Sequence, residues 1–269
     1  MDVETVLIPA AGLGTRMRAV ARGLPKELLP VDGKPAIAWA LAEAAHAGAK
    51  LAVIIVRPGK EAVRRAVESM KSFPRSMAVE FVDQENLLGE CDALSAAAHL
   101  AGTGGFGVVY PDNIYLGRGG NKGRPGAVRL LGEFMDAWGP NLVALSRTTE
   151  QSAEGTGDSG RVEVEPLARG VYDVRAFLPK GGGAFRQRFA GELRTCGIYL
   201  AGPEYFRFIE ETRAQGPDWG PGNELTDGKV RRLMLERGVS FRGIALPGRV
   251  FDIGNPRGYA LCLEALKSS

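Results

Sequence analysis

The sequence predicts an α/β fold with a mostly parallel, Rossmann-like mixed sheet, helices on both faces and a small antiparallel extension. Three observations support this prediction. Short apolar runs alternate with helical patterns through the first 146 residues, the joints between them are short, and strands with few helices follow residue 160. No linker rich in Pro, Gly or Ser divides the chain, so a single domain over residues 1–269 is expected.

The first part alternates strands and helices. Strands are predicted at residues 3–9, 51–56, 78–82, 106–110 and 142–146, and helices at residues 35–47, 59–70, 92–101 and 127–138. Pro35 in the first turn and Gly48 just past the end delimit the first helix. Right-handed crossovers place the helices on the two sides of the sheet. The ligand site is then expected beyond the carboxyl ends of the strands. The loops after Pro9, Val82 and Tyr110 are therefore the expected positions of a ligand site.

The later part of the chain has a different pattern. Predicted strands at residues 161–165, 171–177 and 193–200 form the antiparallel extension, which is expected to carry half of the site. Helices at residues 203–213, 225–237 and 256–266 and a strand at residues 239–246 complete the chain. The Gly-rich basic loop at residues 117–126 is interpreted as a surface insertion; a role in oligomer contacts or as a lid is the alternative.

Composition excludes several classes of protein. Hydrophobic residues make up 45% and charged residues 24%, and the net charge of +3 is spread without the basic cluster typical of nucleic-acid binding. The three cysteines, Cys91, Cys196 and Cys262, are far apart, which favours a reducing compartment. His46 and His99 lie in Ala-rich helical patterns and are interpreted as structural. Neither a leader nor a membrane-spanning segment is expected, so a cytoplasmic location is predicted.

The strongest motif follows the first predicted strand, in residues 8–16 and 24–30. Gly12 and Gly14 allow a sharp backbone turn whose N–H groups can approach anionic oxygens. Arg16 and, ten residues later, Lys26 add two cations that can neutralise a polyphosphate from two directions. A dinucleotide fingerprint is excluded because Met17 replaces its third glycine, and the G-K-[ST] of a P-loop is missing.

These segments resemble the signature of the sugar-phosphate nucleotidyltransferases, G-x-G-T-R followed by P-K-x-L-L-P. The spacing is similar to that of UTP–glucose-1-phosphate uridylyltransferases, although Ala19 stands where many members carry Pro. The resemblance implies the nucleotide-diphospho-sugar transferase fold. It assigns Arg16 to the β- and γ-phosphates and Lys26 to the α-phosphate or the sugar phosphate. Nucleotide contacts are further implied for Ala10, Ala11, Gly12, Gly14 and Thr15.

The loop after residue 82 supplies candidates for base recognition. The amide of Gln84 offers a donor and an acceptor, which complement the C=O and N–H of uracil or thymine. Members of the resembled family use a Gln and a Gly at this separation for the base, which implies the same role for Gly89.

Two aspartates are candidates for binding Mg²⁺. Asp112 follows a predicted central strand, and Mg²⁺ prefers few carboxylates together with phosphate oxygens and water. Asp252, before Ile253 and Gly254, is the second candidate. In the resembled family, acidic residues at these two places share the metal; without the resemblance, each aspartate is also compatible with a cap of a helix or turn.

The sugar side of the site rests on the resemblance. Gly160 and Gly197 match glycines against which a pyranose packs, and Asn113 is assigned to the same side. The family's Glu-Lys-Pro segment has no clean copy here: Lys180 is the candidate for its lysine, and no Glu precedes it. Glu224 resembles a residue near the sugar, but an acid that stabilises a helix start is an equal alternative.

The sequence therefore predicts a Mg²⁺-dependent nucleotidyltransferase that joins a nucleoside triphosphate to a sugar 1-phosphate and releases pyrophosphate. UTP and glucose 1-phosphate are the favoured substrates, and dTTP is the alternative nucleotide. A non-catalytic nucleotide-sugar binding protein and a metal-dependent glycosyltransferase are the alternatives from other classes; the second usually needs Asp-x-Asp, which this sequence lacks. Neither nucleic acid nor membrane is an expected partner, and a homo-oligomer is compatible with the sequence.

Overall fold

A computed structural model describes residues 3–70, 76–117, 126–157, 159–216, 219–220 and 222–268. The strands are β1 (Thr5–Pro9), β2 (Pro30–Val31), β3 (Lys34–Pro35), β4 (Leu51–Val56), β5 (Ala78–Asp83), β6 (Phe106–Val109), β7 (Asn113–Leu116), β8 (Leu142–Arg147), β9 (Val162–Ala168), β10 (Val171–Phe177), β11 (Leu193–Ala201), β12 (Arg242–Ala245) and β13 (Arg249–Asp252). The α-helices are α1 (Arg18–Ala21), α2 (Ala36–His46), α3 (Glu61–Glu68), α4 (Glu90–Ala96), α5 (Ala127–Gly132), α6 (Met135–Trp138), α7 (Glu150–Glu154), α8 (Glu204–Ala214), α9 (Asp227–Glu236) and α10 (Pro256–Lys267).

Nine strands form one mixed sheet in the order β5-β4-β1-β6-β11-β8-β12-β10-β9. Strands β5, β4, β1 and β6 are parallel neighbours, and β8 pairs in parallel with β12. Of the described strands in this sheet, only β11 and β10 are antiparallel to the others. The predicted fold class is confirmed, and the loops after β1, β5 and β6 emerge at the same edge of the sheet.

The antiparallel extension differs from its prediction in one strand. Strands β9 and β10 pair as an antiparallel hairpin at the edge of the sheet, as expected. The third predicted strand, β11, instead lies at the centre, between β6 and β8. Eight of its nine residues are buried, the burial expected of a strand covered on both faces.

Helices cover both faces of the sheet. In α2, Ile37, Ala40, Leu41 and Ala44 follow the spacing of one helical face and are buried in the core on one side, to which α3 and α5 also contribute. Helices α4, α8 and α9 bury the other face around a second core. The predicted helix at residues 127–138 is divided into α5 and α6. The division follows Gly132, a residue type with low helix propensity.

A separate pair of strands, β7 and β13, was not predicted from the sequence. The two strands pair antiparallel, with Asn113 opposite Asp252, and pack with α10 around a small apolar cluster. Helix α10 begins where the side chain of Asn255 accepts a hydrogen bond from the Gly258 N–H, with Pro256 in its first turn. This pair decides where the second predicted metal ligand lies.

Four further predictions concern the cysteines, membrane-spanning helices, the basic loop and the number of domains. All three cysteines are buried free thiols. No helix of the described residues is long and apolar enough to cross a membrane. Residues 118–125 of the predicted basic loop lie outside the described residues, and the single domain stays a prediction.

Candidate active site

The Gly-rich loop after β1 lies against the side chain of Lys26. Gly14 has a φ of +64°, a conformation that favours glycine. A β-carbon on Gly12 would lie 3.9 Å from Lys26 Nζ, and one on Gly14 would lie 3.4 Å from Lys26 Cγ. Ala10 and Ala11 are buried at the start of the loop, and Gly12 and Thr15 are exposed. The loop therefore presents backbone and a lysine at the predicted position.

A buried ion pair between Lys60 and Glu27 contacts the start of this loop and was not predicted from the sequence. Lys60 Nζ donates to the Ala10 carbonyl at 2.5 Å and to Glu27 Oε1 at 2.9 Å. The side chains of Lys60 and Glu27 are 5% and 0% exposed. Burial lowers the pKa of Lys60, although the adjacent Glu27 opposes that shift. The sequence signal for this pair is a lysine shortly after the end of β4. Strand β4 is the neighbour of β1 in the sheet.

Asp112 is the carboxylate that faces Lys26. Lys26 Nζ lies 2.5 Å from Asp112 Oδ2, and both side chains are less than one fifth exposed. Asn113 Nδ2 donates to the other oxygen, Asp112 Oδ1, at 3.0 Å. Asp112 lies three residues after Val109, the last residue of β6, so the prediction that placed it at the carboxyl end of a central strand is confirmed.

The β7–β13 pair brings Asp252 to the same place. The Ile253 N–H donates to the Asp112 carbonyl at 2.8 Å, which fixes the two segments side by side. A β-carbon on Gly254 would lie 2.8 Å from Asp112 Oδ2 and 3.0 Å from Asp252 Oδ1. Both carboxylates therefore border one small space that a side chain at position 254 would fill.

Arg16 lies at the exposed rim of this space. A β-carbon on Gly157 would lie 3.3 Å from Arg16 Nη1 and 4.0 Å from Asp252 Oδ2. The fold thus brings charged side chains from three distant parts of the sequence together at one edge of the sheet. They are Arg16 and Lys26, Asp112, and Asp252.

The charges at this site stabilise one another. Burial alone would lower the pKa of Lys26, but the charges of Asp112, Glu27 and Asp252 raise it by more. Burial would likewise raise the pKa of Asp112, but Lys26 and Arg16 hold it below its usual value. The pair is therefore a lysine cation facing a carboxylate anion at neutral pH.

The donor set at this space fits Mg²⁺. Two carboxylates converge on it, and Mg²⁺ is usually held by one or two carboxylates that leave positions for water and substrate phosphates. The described residues place no group of three or more His, Cys, Asp or Glu together, as an all-protein metal site would require. Lys26 is the counter-ion of Asp112 in this structure.

The predicted base-recognition residues, the buried Gln84 and the half-buried Gly89, are held by contacts within the protein. Gln84 Nε2 donates to the Gly89 carbonyl at 3.1 Å and to Asp92 Oδ2 at 2.7 Å. Both amide hydrogens are thus committed, which leaves only the side-chain carbonyl for a base. Gly89 has a φ of +135°, and a β-carbon there would lie 2.6 Å from the backbone of Leu225. Close packing explains this glycine without a ligand.

Close packing also explains the two glycines that were predicted to contact the sugar, Gly160 and Gly197. A β-carbon on Gly160, which has a φ of +76°, would lie 2.3 Å from the Thr195 carbonyl. One on Gly197 would lie 2.5 Å from the Tyr110 ring and 2.8 Å from Asn113 Nδ2. Gly197 lies in β11 and Gly160 packs against it, so both glycines are near the edge of the sheet where the parallel strands end. Their proposed contact with a sugar stays a prediction.

Lys180 and Glu224 are not drawn into the cluster by any described contact. Lys180 is exposed beyond the end of β10. Glu224 is exposed, and its backbone carbonyl accepts a hydrogen bond from Lys229 Nζ at 2.8 Å. It precedes α9, whose first turn contains Asp227, so Glu224 is not the acid inside the helix start. The roles of Lys180 and Glu224 stay predictions.

Comparison with known proteins agrees with the motifs. Residues 6–119 match the MobA-like NTP transferase domain family. The UTP–glucose-1-phosphate uridylyltransferase of Bacillus subtilis (strain 168) is 25% identical over an alignment of 281 residues, which covers 96% of this chain and 88% of that protein. The resemblance inferred from the motifs is confirmed.

Solved structures share the fold. A crystal structure of UDP-glucose pyrophosphorylase complexed with UDP-glucose has a TM-score of 0.81 at 23% identity and covers 99% of both chains. The UTP-bound UGPase from Acinetobacter baumannii has a TM-score of 0.74 at 18% identity, covering 98% of this chain and 93% of that one.

Proposed function

We propose that this chain, a relative of the sugar-phosphate nucleotidyltransferases in sequence and in fold, joins a nucleoside triphosphate to a sugar 1-phosphate. One observation carries the proposal: Asp112, Asp252, Lys26 and Arg16 surround one space beside the Gly-rich loop. In the reaction, a sugar-phosphate oxygen forms a bond to the α-phosphorus, the bond from that phosphorus to the β-phosphate breaks, and pyrophosphate leaves. The nucleophile is already an anion, so no general base is needed.

Asp112 and Asp252 would hold Mg²⁺. When bound, the ion neutralises phosphate charge and orients the triphosphate. The side chains around it position and neutralise the reactants, which is the main requirement of phosphoryl and nucleotidyl transfer.

Lys26 and Arg16 have separate tasks in this scheme. Lys26 is bound to Asp112 in the structure. An incoming phosphate competes for the ammonium group, so nucleotide binding and release of the carboxylate are coupled. Arg16, at the exposed rim, suits the β- and γ-phosphates that leave as pyrophosphate.

UTP and glucose 1-phosphate are the proposed substrates. The Bacillus subtilis relative is named for this pair, and the side-chain carbonyl of Gln84 remains as an acceptor for a pyrimidine N–H. Thymine presents the same N–H, so dTTP is the second candidate. The cytoplasmic location and a homo-oligomer stay predictions from the sequence.

The test measures pyrophosphate release for each combination of UTP, dTTP, ATP and GTP with glucose 1-phosphate and other sugar 1-phosphates, with and without Mg²⁺. Release with UTP and glucose 1-phosphate is expected, and release with dTTP instead would select the second candidate. Binding of finished UDP-glucose without turnover would support a nucleotide-sugar binding protein, and sugar transfer from it to an acceptor would support a glycosyltransferase.

The variant Asp112→Asn tests the cluster. Removing one such preorganised charge should lower kcat by about 10²–10³-fold. Asp32→Asn, in the exposed turn between β2 and β3, makes the same chemical change outside the cluster and should retain activity. Undiminished Mg²⁺-dependent turnover by Asp112→Asn would refute the assignment.

A further inference from the structure

β11 carries a buried arginine, Arg194, for which the described part of the chain supplies no carboxylate partner. Arg194 is 4% exposed. Among the described residues, its one hydrogen-bond acceptor is the Thr195 carbonyl, 3.2 Å from Nη1, and no carboxylate lies within 4 Å. By contrast, the buried Arg231, which is 3% exposed, lies 3.0 Å from Asp227. A buried charge is stabilised by a partner of opposite charge, so Arg194 is a candidate to bind an anion.

One side of the Arg194 guanidinium faces the predicted sugar site. The Thr195 carbonyl that it contacts would lie 2.3 Å from a β-carbon on Gly160. The Thr195 N–H donates in turn to the Gly160 carbonyl at 2.7 Å. The guanidinium is therefore next to the turn at Gly160.

On its other side, Arg194 is linked through its strand neighbour to the segment that carries Asp252. In the sheet, Arg194 pairs with Ser146, whose hydroxyl accepts a hydrogen bond from the Val250 N–H at 3.4 Å. Val250 is two residues before Asp252. Burial lowers the pKa of Arg194, and Cys196 and, to a smaller extent, Asp252 oppose that shift. Arg194 is thus linked to the Gly160 turn through Thr195 and to the segment of the second predicted metal ligand through Ser146 and Val250.

We propose that Arg194 binds the phosphate group of the sugar 1-phosphate. The inference rests on the proposed function, which requires this anion between the sugar site and the metal carboxylates. A planar guanidinium can donate two parallel hydrogen bonds to a phosphate, which fixes orientation as well as charge. It would supply the cation that the Glu-Lys-Pro segment provides in the resembled family, whereas Lys180 is exposed here.

The kinetic test compares Arg194→Met with the wild type on UTP and glucose 1-phosphate. Losing charged hydrogen bonds should raise KM for the sugar phosphate by about 10–100-fold while KM for the nucleotide changes less than about 2-fold. Arg194→Lys, which keeps the charge but not the planar fork, should give an intermediate value. Arg175→Met, on an exposed ion pair with Glu165, is the matched control and should leave both KM values unchanged.

A binding test separates this inference from the proposed function. Calorimetry with glucose 1-phosphate, with glucose and with inorganic phosphate is run on the wild type, Arg194→Met and Arg194→Lys. Binding of the two phosphates that Arg194→Met loses and Arg194→Lys partly keeps supports the inference even if no pyrophosphate is released. If the wild type turns over and the variants keep its KM for glucose 1-phosphate, or if phosphate binding does not depend on Arg194, the inference is wrong. If Arg194→Met does not fold, the Arg194→Lys comparison alone decides.

Discussion

Glu43 is a buried carboxylate whose ionisation should destabilise the protein at neutral and alkaline pH. It lies on α2 and accepts a hydrogen bond from the Val128 N–H in the first turn of α5, at 3.1 Å. A β-carbon on Gly126 would lie 2.6 Å from Glu43 Oε2, so the carboxylate is enclosed. Burial raises its pKa to about 7, although the N–H groups of Val128 and Ala127 oppose the shift.

The size of the effect follows from the two pKa values. The carboxyl ionises near pH 4.5 in the unfolded chain and near pH 7 in the folded protein. Between these values the folded state binds more protons, so the free energy of unfolding falls as pH rises. The loss begins near pH 4.5 and is complete somewhat above pH 7, where it amounts to about 3 kcal/mol.

The variant Glu43→Gln removes this titration and keeps a carbonyl oxygen for the α5 N–H groups. Urea denaturation of both proteins from pH 4.5 to 8.5 should show the variant gaining about 3 kcal/mol on the wild type across the range. Glu133→Gln, at the exposed opposite end of α5, is the matched control and should run parallel to the wild type. A pH-independent difference between Glu43→Gln and the wild type would refute the reasoning.

Three further substitutions test the geometry. Gly254→Ala should abolish Mg²⁺-dependent turnover, because its β-carbon would lie within 3.0 Å of both metal carboxylates. Titration of the activity with Mg²⁺ checks this prediction, and normal activation by Mg²⁺ would contradict it. Lys60→Met leaves Glu27 buried and unpaired, so denaturation should show a loss of about 3–5 kcal/mol, partly recovered by adding Glu27→Gln; equal stability of the single and double variants would argue against the pair. Gly89→Ala should cost about 1–3 kcal/mol or more by denaturation, whereas Gly102→Ala, also at positive φ but in open space, should cost less; equal costs would remove the packing argument.

Much of the site's position could be predicted because parallel strands share a direction. Once β1, β5 and β6 are recognised as parallel strands, their following loops must emerge at one edge of the sheet. The prediction therefore required only local patterns: an apolar run, then glycines, Gln84 or Asp112. Arg16 and Lys26 belong to the segment that follows β1, and Lys26 packs against the glycines at its start.

The convergence of Asp252 with Asp112 could not be predicted in the same way. It depends on β7 and β13, two four-residue strands separated by more than 130 residues, which pair outside the main sheet. Strands of four residues carry little periodic signal, and their register is set by the apolar cluster under α10, which is a property of the folded chain. The family resemblance supplied this residue where local patterns did not.

The central position of β11 is a further difference between prediction and structure. The pattern of an antiparallel strand without a crossover helix predicts a place beside the edge hairpin, because a local pattern does not distinguish an edge strand from a central one. Its place between β6 and β8 turns a polar residue in an apolar strand, Arg194, from a solvated side chain into a buried cation near Asp252. The same placement sets Gly160 against the Thr195 carbonyl. One long-range pairing therefore decides which charged groups line the sugar side of the site, and this information is not contained in any short segment of the sequence.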